Sequence, residues 1–204
     1  MKKILITFIA VVACLQFAKA QNYSATEFSA GVGFNGSSVS NTNNDHTDAK
    51  LGFNAGIAID QYFSRSWSLH VGANYQQKGW ANGFITFDDG SEIDNVDYKL
   101  SYLTVPVLAN WHFGRTKNWY LNFGPYVGFL LGASESSNTL INTKSYFNNS
   151  DAGLAIGIGV KLPLSQQTQL FIEYGEQGGI SNVSKNSTES LHNNTSSFNI
   201  GICF

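Results

Sequence analysis

The chain has 204 residues, of which 43% are hydrophobic and 14% aromatic but only 13% charged. A soluble domain carries about 25% charged residues, so half the usual solvating surface is missing, which argues against an ordinary cytosolic enzyme; the wealth of apolar and aromatic residues equally excludes a disordered chain. Twenty glycines against three prolines and one methionine make a strand-and-turn composition.

Taken in chain order, the first element is a targeting segment. Met1-Lys2-Lys3 is a short basic stretch, residues 4–15 are apolar but for Thr7, and Ala18-Lys19-Ala20 fits a small-x-small cleavage pattern before Gln21. That apolar run is too short for a bilayer core, which needs about 20 residues, so residues 1–20 read as a cleaved signal peptide and 21–204 as one mature domain. A rival lipoprotein cleavage before Cys14 would leave the apolar stub Leu15-Gln16-Phe17 exposed. Cleavage after Ala20 removes Lys2, Lys3 and Lys19, leaving nine basic residues against fourteen acidic ones. No basic face remains for nucleic acid. Cys14 leaves with the signal, so Cys203 has no intrachain disulfide partner. The remainder holds no apolar run of the roughly 18 residues that mark a transmembrane helix.

Period-two alternation dominates the mature chain. Residues 51–60 place Leu51, Phe53, Ala55, Ile57 and Ile59 on one face and Gly52, Asn54, Gly56, Ala58 and Asp60 on the other. Residues 67–75, 154–162 and 198–204 repeat the pattern, the last with Phe198, Ile200, Ile202 and Phe204 against Asn199, Gly201 and Cys203. Side chains two apart share a strand face, so these are strands. Segments 28–35, 98–113, 119–131 and 168–174 read the same way less purely, which makes eight. Pro106 cannot donate a ladder hydrogen bond, so a bulge or local break is expected there.

A soluble barrel turns its apolar face inward and shows water a Lys- and Glu-rich exterior. Here the second face is mostly Gly, Ala, Asn and Ser, which suits the crowded interior of an eight-stranded barrel. The expected fold is therefore all-β: an eight-stranded antiparallel up-and-down transmembrane β-barrel with its large apolar side chains towards lipid. Closure leaves no unpaired edge for lipid to meet. Long polar segments (36–49, 76–96, 132–150, 175–195) alternate with tight connections (61–66, 114–118, 163–167). All long loops then share one end, the extracellular one in outer-membrane barrels, and the short turns are periplasmic. Tyr62, Phe63, Trp67, Trp111, Phe113, Trp119 and Tyr120 flank the short turns as an interfacial girdle, of which Trp67, Trp111, Trp119 and Phe204 are the lipid-facing members.

Several stretches resemble a known family. Tyr102-Leu103-Thr104-Val105-Pro106-Val107-Leu108 is similar to the "YLxIPLL" strand of PorT-like, porin-family outer-membrane β-barrel proteins, and Gly124-Pro125-Tyr126-Val127-Gly128 to their next strand. Asp151-Ala152-Gly153-Leu154 with Gly157-Ile158-Gly159 resembles their "DxGxxxGxG" strand, and Phe171-Ile172-Glu173-Tyr174 followed by Gly179-Ile180-Ser181-Asn182 their "Y…GLxN" segment. The closing Phe204 resembles the aromatic C-terminal signal read by the barrel-assembly machinery. The resemblance implies location and fold, in the outer membrane of a Gram-negative-type cell, and no single activity. Thr104 stands where the family often has an acidic residue, so no role of that carboxylate carries over.

Candidate chemistry is sparse. No nucleotide-binding loop, zinc-protease helix or nucleophile elbow is present. His46 and His192 fall in polar loops and should face solvent. His70 and His112 should lie on the lumenal face near the short turns, a conceivable two-histidine metal site that lacks the third ligand zinc requires. With Asp60, Lys161 and Glu173 they are expected to form a polar lumenal network, because buried charges are paired or hydrogen-bonded. Asp88, Asp89 and Glu92 in the second long loop are weak candidates for calcium, but their spacing is not that of an EF-hand. No cofactor is expected.

These features point to a small, monomeric, non-enzymatic barrel, its partners the lipid bilayer, lipopolysaccharide and the barrel-assembly machinery. It would act in envelope integrity or bind through its long loops. Two alternatives stay open: a lipid-modifying outer-membrane enzyme, which needs Ser, His and a carboxylate together at the membrane rim, and a soluble lipocalin-like carrier of an apolar ligand.

Overall fold

Alternation commits each strand to one wet face and one greasy face, and the only way to satisfy eight of them without an edge is to close the sheet. The computed structural model describes residues 25–41, 47–86, 92–136, 143–185 and 190–204. Residues 1–20 with Cys14, His46, Asp88 and Asp89 lie outside them, and Glu92 enters only as the first backbone position of a strand. The strands are β1 (Ala25–Asn41), β2 (Asp48–Tyr62), β3 (Trp67–Thr86), β4 (Glu92–Phe113), β5 (Trp119–Glu135), β6 (Ser150–Pro163), β7 (Gln169–Gly179) and β8 (Leu191–Cys203). They pair in sequence order and antiparallel, and β8 returns to β1, which closes the barrel.

One line of paired residues followed round the wall runs Gly36, Ser196, Glu176, Ile156, Phe123, Ala109, Leu69, Gln61, Thr26. It comes back to β1 ten residues from its start, at Thr26 rather than Gly36. That stagger tilts the strands and sets the bore of an eight-stranded barrel.

The apolar face points outward. Val32, Phe34, Leu51, Ile57, Val127, Leu154, Ile156 and Phe198 are all exposed, whereas Asn35, Asn54, Asp60, Ser68, Gln76, Asn110, Asn122 and Lys161 are buried. Interior rings fit because the facing positions are glycine. A Cβ on Gly159 would lie 2.3 Å from the Tyr120 ring, and Cβ atoms on Gly31 and Gly201 would lie 2.6 and 2.5 Å from the ring of Phe171. Cys203, buried in the same interior, is a free thiol.

The short connections fall where the sequence places them, at 63–66, 114–118 and 164–168. The other end differs from expectation. Much of 36–49, 76–96, 132–150 and 175–195 is strand: β3 runs on to Thr86 and β4 begins at Glu92, so only 87–91 connect them. His192 accordingly lies in β8, not in a loop, and contacts Ser190 and the Ser181 carbonyl at 3.1 Å each. Above the apolar belt the pattern inverts. Leu100, Val96, Trp80, Leu130, Ala133 and Val39 turn inward and are buried, while Lys99 on the opposite face is exposed. Outside lipid the barrel follows the logic of a soluble protein, greasy side in.

Pro106 causes no bulge. The register is the same on both sides of it, and β4 is continuous; only the pairs opposite Gly72 and Ala73 drop out of the β3–β4 ladder. The break is local, as a missing donor requires.

Candidate functional site in the barrel lumen

Near the short-turn end, β2, β3 and β4 aim Asp60, Ser68, His70, Asn110 and His112 into the lumen, because these positions share the parity of the wet face. Asp60 organises the group. Its Oδ1 accepts from Ser68 Oγ and Asn110 Nδ2, both at 3.0 Å, and its Oδ2 lies 3.0 Å from His70 Nδ1. Ser68 Oγ is also 3.2 Å from His112 Nε2. Thus His70 and His112 do neighbour one another, joined through Ser68 and Asp60. No group of three or more His, Cys, Asp or Glu side chains is arranged around a metal-sized site among the described residues.

Beside them Lys161 of β6 reaches across the bore to Glu27 of β1 and to the Tyr62 hydroxyl. Its ammonium stands 5.6 Å from the centroids of both Tyr62 and Tyr120. Tyr62 and Tyr120 therefore leave the expected girdle: Tyr62 packs on His112 at 4.9 Å between ring centroids, and Tyr120 is buried. Glu173, the remaining expected member, accepts from Asn122 Nδ2 at 2.7 Å and Asn199 Nδ2 at 3.4 Å.

The other girdle residues stay outside at one level. Trp67 is paired with Trp111 and Phe113 with Trp119 across neighbouring strands. Trp67 stacks on Trp111 at 6.3 Å and Phe28 on Phe204 at 6.3 Å. Trp111, Trp119 and Phe204 are exposed, the two tryptophans as amphipathic rings at an interface should be.

A second charge cluster lies higher in the bore. Lys78 Nζ and Asp151 Oδ2 are 3.1 Å apart with neither side chain accessible. The same carboxylate accepts from Asn193 Nδ2 at 3.1 Å, Tyr126 OH at 3.3 Å and Ser181 Oγ at 3.2 Å. The ammonium sits 4.6 Å from the Tyr126 ring centroid and 5.5 Å from that of Tyr102, a cation–π arrangement in a dry site. Sequence reasoning missed this pair, having assigned Lys78 to a loop. The available signal was parity: Ser68, His70, Asn74 and Gln76 lead straight to Lys78 on the inward face.

Above Lys78 lies an apolar cap. Phe147, just beyond a 3-10 turn (Lys144–Tyr146), packs against Trp80 at 5.9 Å and Tyr98 at 6.0 Å, and Trp80 stacks on Tyr98 at 4.7 Å. The segment is held down by Leu130 N–H to the Asn149 carbonyl and Asn148 N–H to the Val183 carbonyl, both 2.8 Å, and by a bridge between Phe147 and Ser184.

Chemically, Ser68, His112 and Asp60 resemble the parts of a hydrolase without its wiring. In a catalytic triad the carboxylate orients the histidine that takes the serine proton; here Asp60 bonds the serine itself and the other histidine. Ser68 is also fully buried and away from the lipid-facing surface.

A lumen of this polarity inside an apolar wall is what a membrane barrel requires, and comparison with known proteins agrees. Residues 17–185 match the model of the family described as outer membrane protein beta-barrel domain. The chain belongs to that family. It is a small outer-membrane barrel protein. No curated protein sequence matches it. Among solved structures it is similar to the outer membrane protein OprG from Pseudomonas aeruginosa (13% identity, TM-score 0.54, covering 89% of this chain and 96% of OprG). Neisserial surface protein A is 15% identical with TM-score 0.52, covering 86% of this chain and 95% of its own. Ail of Yersinia pestis, crystallised with the heparin analogue sucrose octasulfate, is 17% identical with TM-score 0.46, covering 88% and 99%. At these identities the likeness is one of fold. Family and outward apolar face together rule out the soluble carrier, whose greasy face would have to line the interior.

Proposed function

We propose that this is a non-enzymatic barrel that holds a rigid, strand-built platform above the outer-membrane surface, for binding or for envelope integrity. The observation that carries the reading is the overhang: β3 and β4 continue past the apolar belt, where their faces invert around the cap of Trp80, Leu100, Leu130 and Phe147. An inverted core of this kind is useful only in water, and an apolar cluster in the path of the lumen favours presentation over diffusion through it. The Ser68–His112 contact, lacking the carboxylate wiring of a triad, supports no hydrolytic role.

In this reading residues 1–20 are a signal peptide removed on export, the overhanging end is extracellular and the short turns are periplasmic. Phe204 engages the assembly machinery, the barrel acts as a monomer, and its surroundings are bilayer and lipopolysaccharide. The name of Neisserial surface protein A is consistent with a surface role for this architecture.

The experiment is an epitope inserted between residues 87 and 91 and another between 114 and 118, probed on intact cells. Antibody or protease should reach the first tag only. Labelling of the second alone would reverse the orientation and remove the surface role.

A further inference from the structure

Between the Lys161 and Lys78 clusters the inward positions are small: Gly31, Gly56, Gly175 and Ala155 line a cavity of about 110 Å³ at mid-barrel. A water occupies about 30 Å³ of liquid volume, so several waters or a hydrated ion fit. Asp60, His70, Lys161 and Glu173 also line it, and their charges do not balance. Lys161 pairs with Glu27, and Asp60 pairs with His70. Glu173 accepts from Asn122, Asn199 and the Tyr120 hydroxyl, all uncharged, and no cation lies within 4 Å of it among the described residues. Even with His70 protonated, two positive charges face three carboxylates. Of the other nearby bases, His112 is engaged by Ser68 and the Tyr62 ring, and Arg65, Arg115 and Lys117 are on the exposed turns outside the lumen. An unpaired carboxylate in a lipid-walled interior is costly.

Two further cavity-lining groups complete the pattern. Asn110, 1% exposed, and Gln76, 3% exposed, each carry a side-chain carbonyl oxygen with no protein partner. Neutral oxygens and one spare carboxylate around a wet cavity make a hard-oxygen environment of low charge. That favours an alkali-metal cation over a transition metal, which would seek imidazole or thiolate.

We propose that the mid-barrel cavity binds a hydrated monovalent cation, with Glu173 as its charged ligand and the amide oxygens of its wall as further acceptors. The cation supplies the missing positive charge and ties β7 to the opposite wall.

The test is thermal unfolding of the full barrel refolded in detergent, in sodium chloride against choline chloride at equal ionic strength, since choline is too large for the site. Sodium should raise the melting temperature by at least about 2 °C, and Glu173→Gln should abolish the difference. Equal melting in both salts would overturn the proposal, meaning that Glu173 is balanced by a proton. A sodium response that survives in Glu173→Gln would overturn it too, placing the ion elsewhere. Should that variant fail to fold, 23Na line width on the wild-type barrel decides: broadening reversed by excess potassium supports the site, and an unbroadened line rejects it.

Discussion

Lys78 and Asp151, on strands that do not touch in the wall, meet at 3.1 Å inside the bore with both side chains wholly screened from water. The pair braces β3 against β6 across the lumen, and its neighbours are chosen for it: two tyrosine rings for the ammonium, an asparagine, a tyrosine and a serine for the carboxylate. Removing one partner strands the other charge. Lys78→Met should therefore cost about 3–5 kcal/mol, whereas Lys78→Met with Asp151→Leu should recover a large part of it. Urea titration of the folded band on unheated gels measures both; equal loss in the single and double variants would show that the pair itself is not the unit.

Glycines of the barrel wall are predicted to divide by what faces them, inward for Gly159 and outward for Gly36. Gly159→Ala drives a methyl into Tyr120 and should destabilise by about 1–3 kcal/mol. Gly36→Ala meets nothing within 4 Å and should stay within about 0.5 kcal/mol. The same unfolding titration compares them, and like effects at both sites would contradict the packing of that ring.

Charge on the outer wall should be costly only within the belt. Ile57→Arg, at a 64% exposed position on β2, is expected to cost about 2–4 kcal/mol near the bilayer midplane. Gln77→Arg, on the overhang of β3, should be nearly neutral. Refolding yield and unfolding midpoint in lipid vesicles check the contrast.

Phe147 is the keystone of the cap, only 5% exposed and in contact with Trp80 and Tyr98. Phe147→Ala should cost up to about 3–5 kcal/mol if the cap and barrel unfold as one. If the cap opens alone, the midpoint will stand and proteolysis within 143–149 will rise instead. Neither change would mean that Phe147 does not hold the cap together.

How much of the fold was legible in the sequence depends on where the solvent changes. Within the belt one rule holds, greasy out and small or polar in, so strand number, closure, short turns and the inward placement of Asp60, His70, His112 and Lys161 could be read from runs such as 51–60. Above the belt the rule reverses. Trp80, Leu100 and Leu130 sit on the parity that Asn74, Thr104 and Asn122 occupy below, so a fixed-parity reading dissolves there into apparent loop. Tyr62 and Tyr120 misled for a related reason: an aromatic beside a turn suits the interface, but their parity is inward and their hydroxyls serve the lumen. The Lys78–Asp151 and Lys161–Glu27 bridges were beyond the sequence because each crosses the bore, a proximity set by closure and stagger rather than by spacing.

One set of rings faces lipid and another is folded inside above it, a division that tryptophan quenching reads out. The chain has four tryptophans, so variants retaining only Trp111 or only Trp80 can be refolded into vesicles of lipids brominated along the acyl chain. The expected outcome is strong quenching of the Trp111 emission and almost none of Trp80, which is 4% exposed against 41% for Trp111. Equal quenching, or quenching of Trp80 alone, would mean that the faces of the barrel do not invert above the belt.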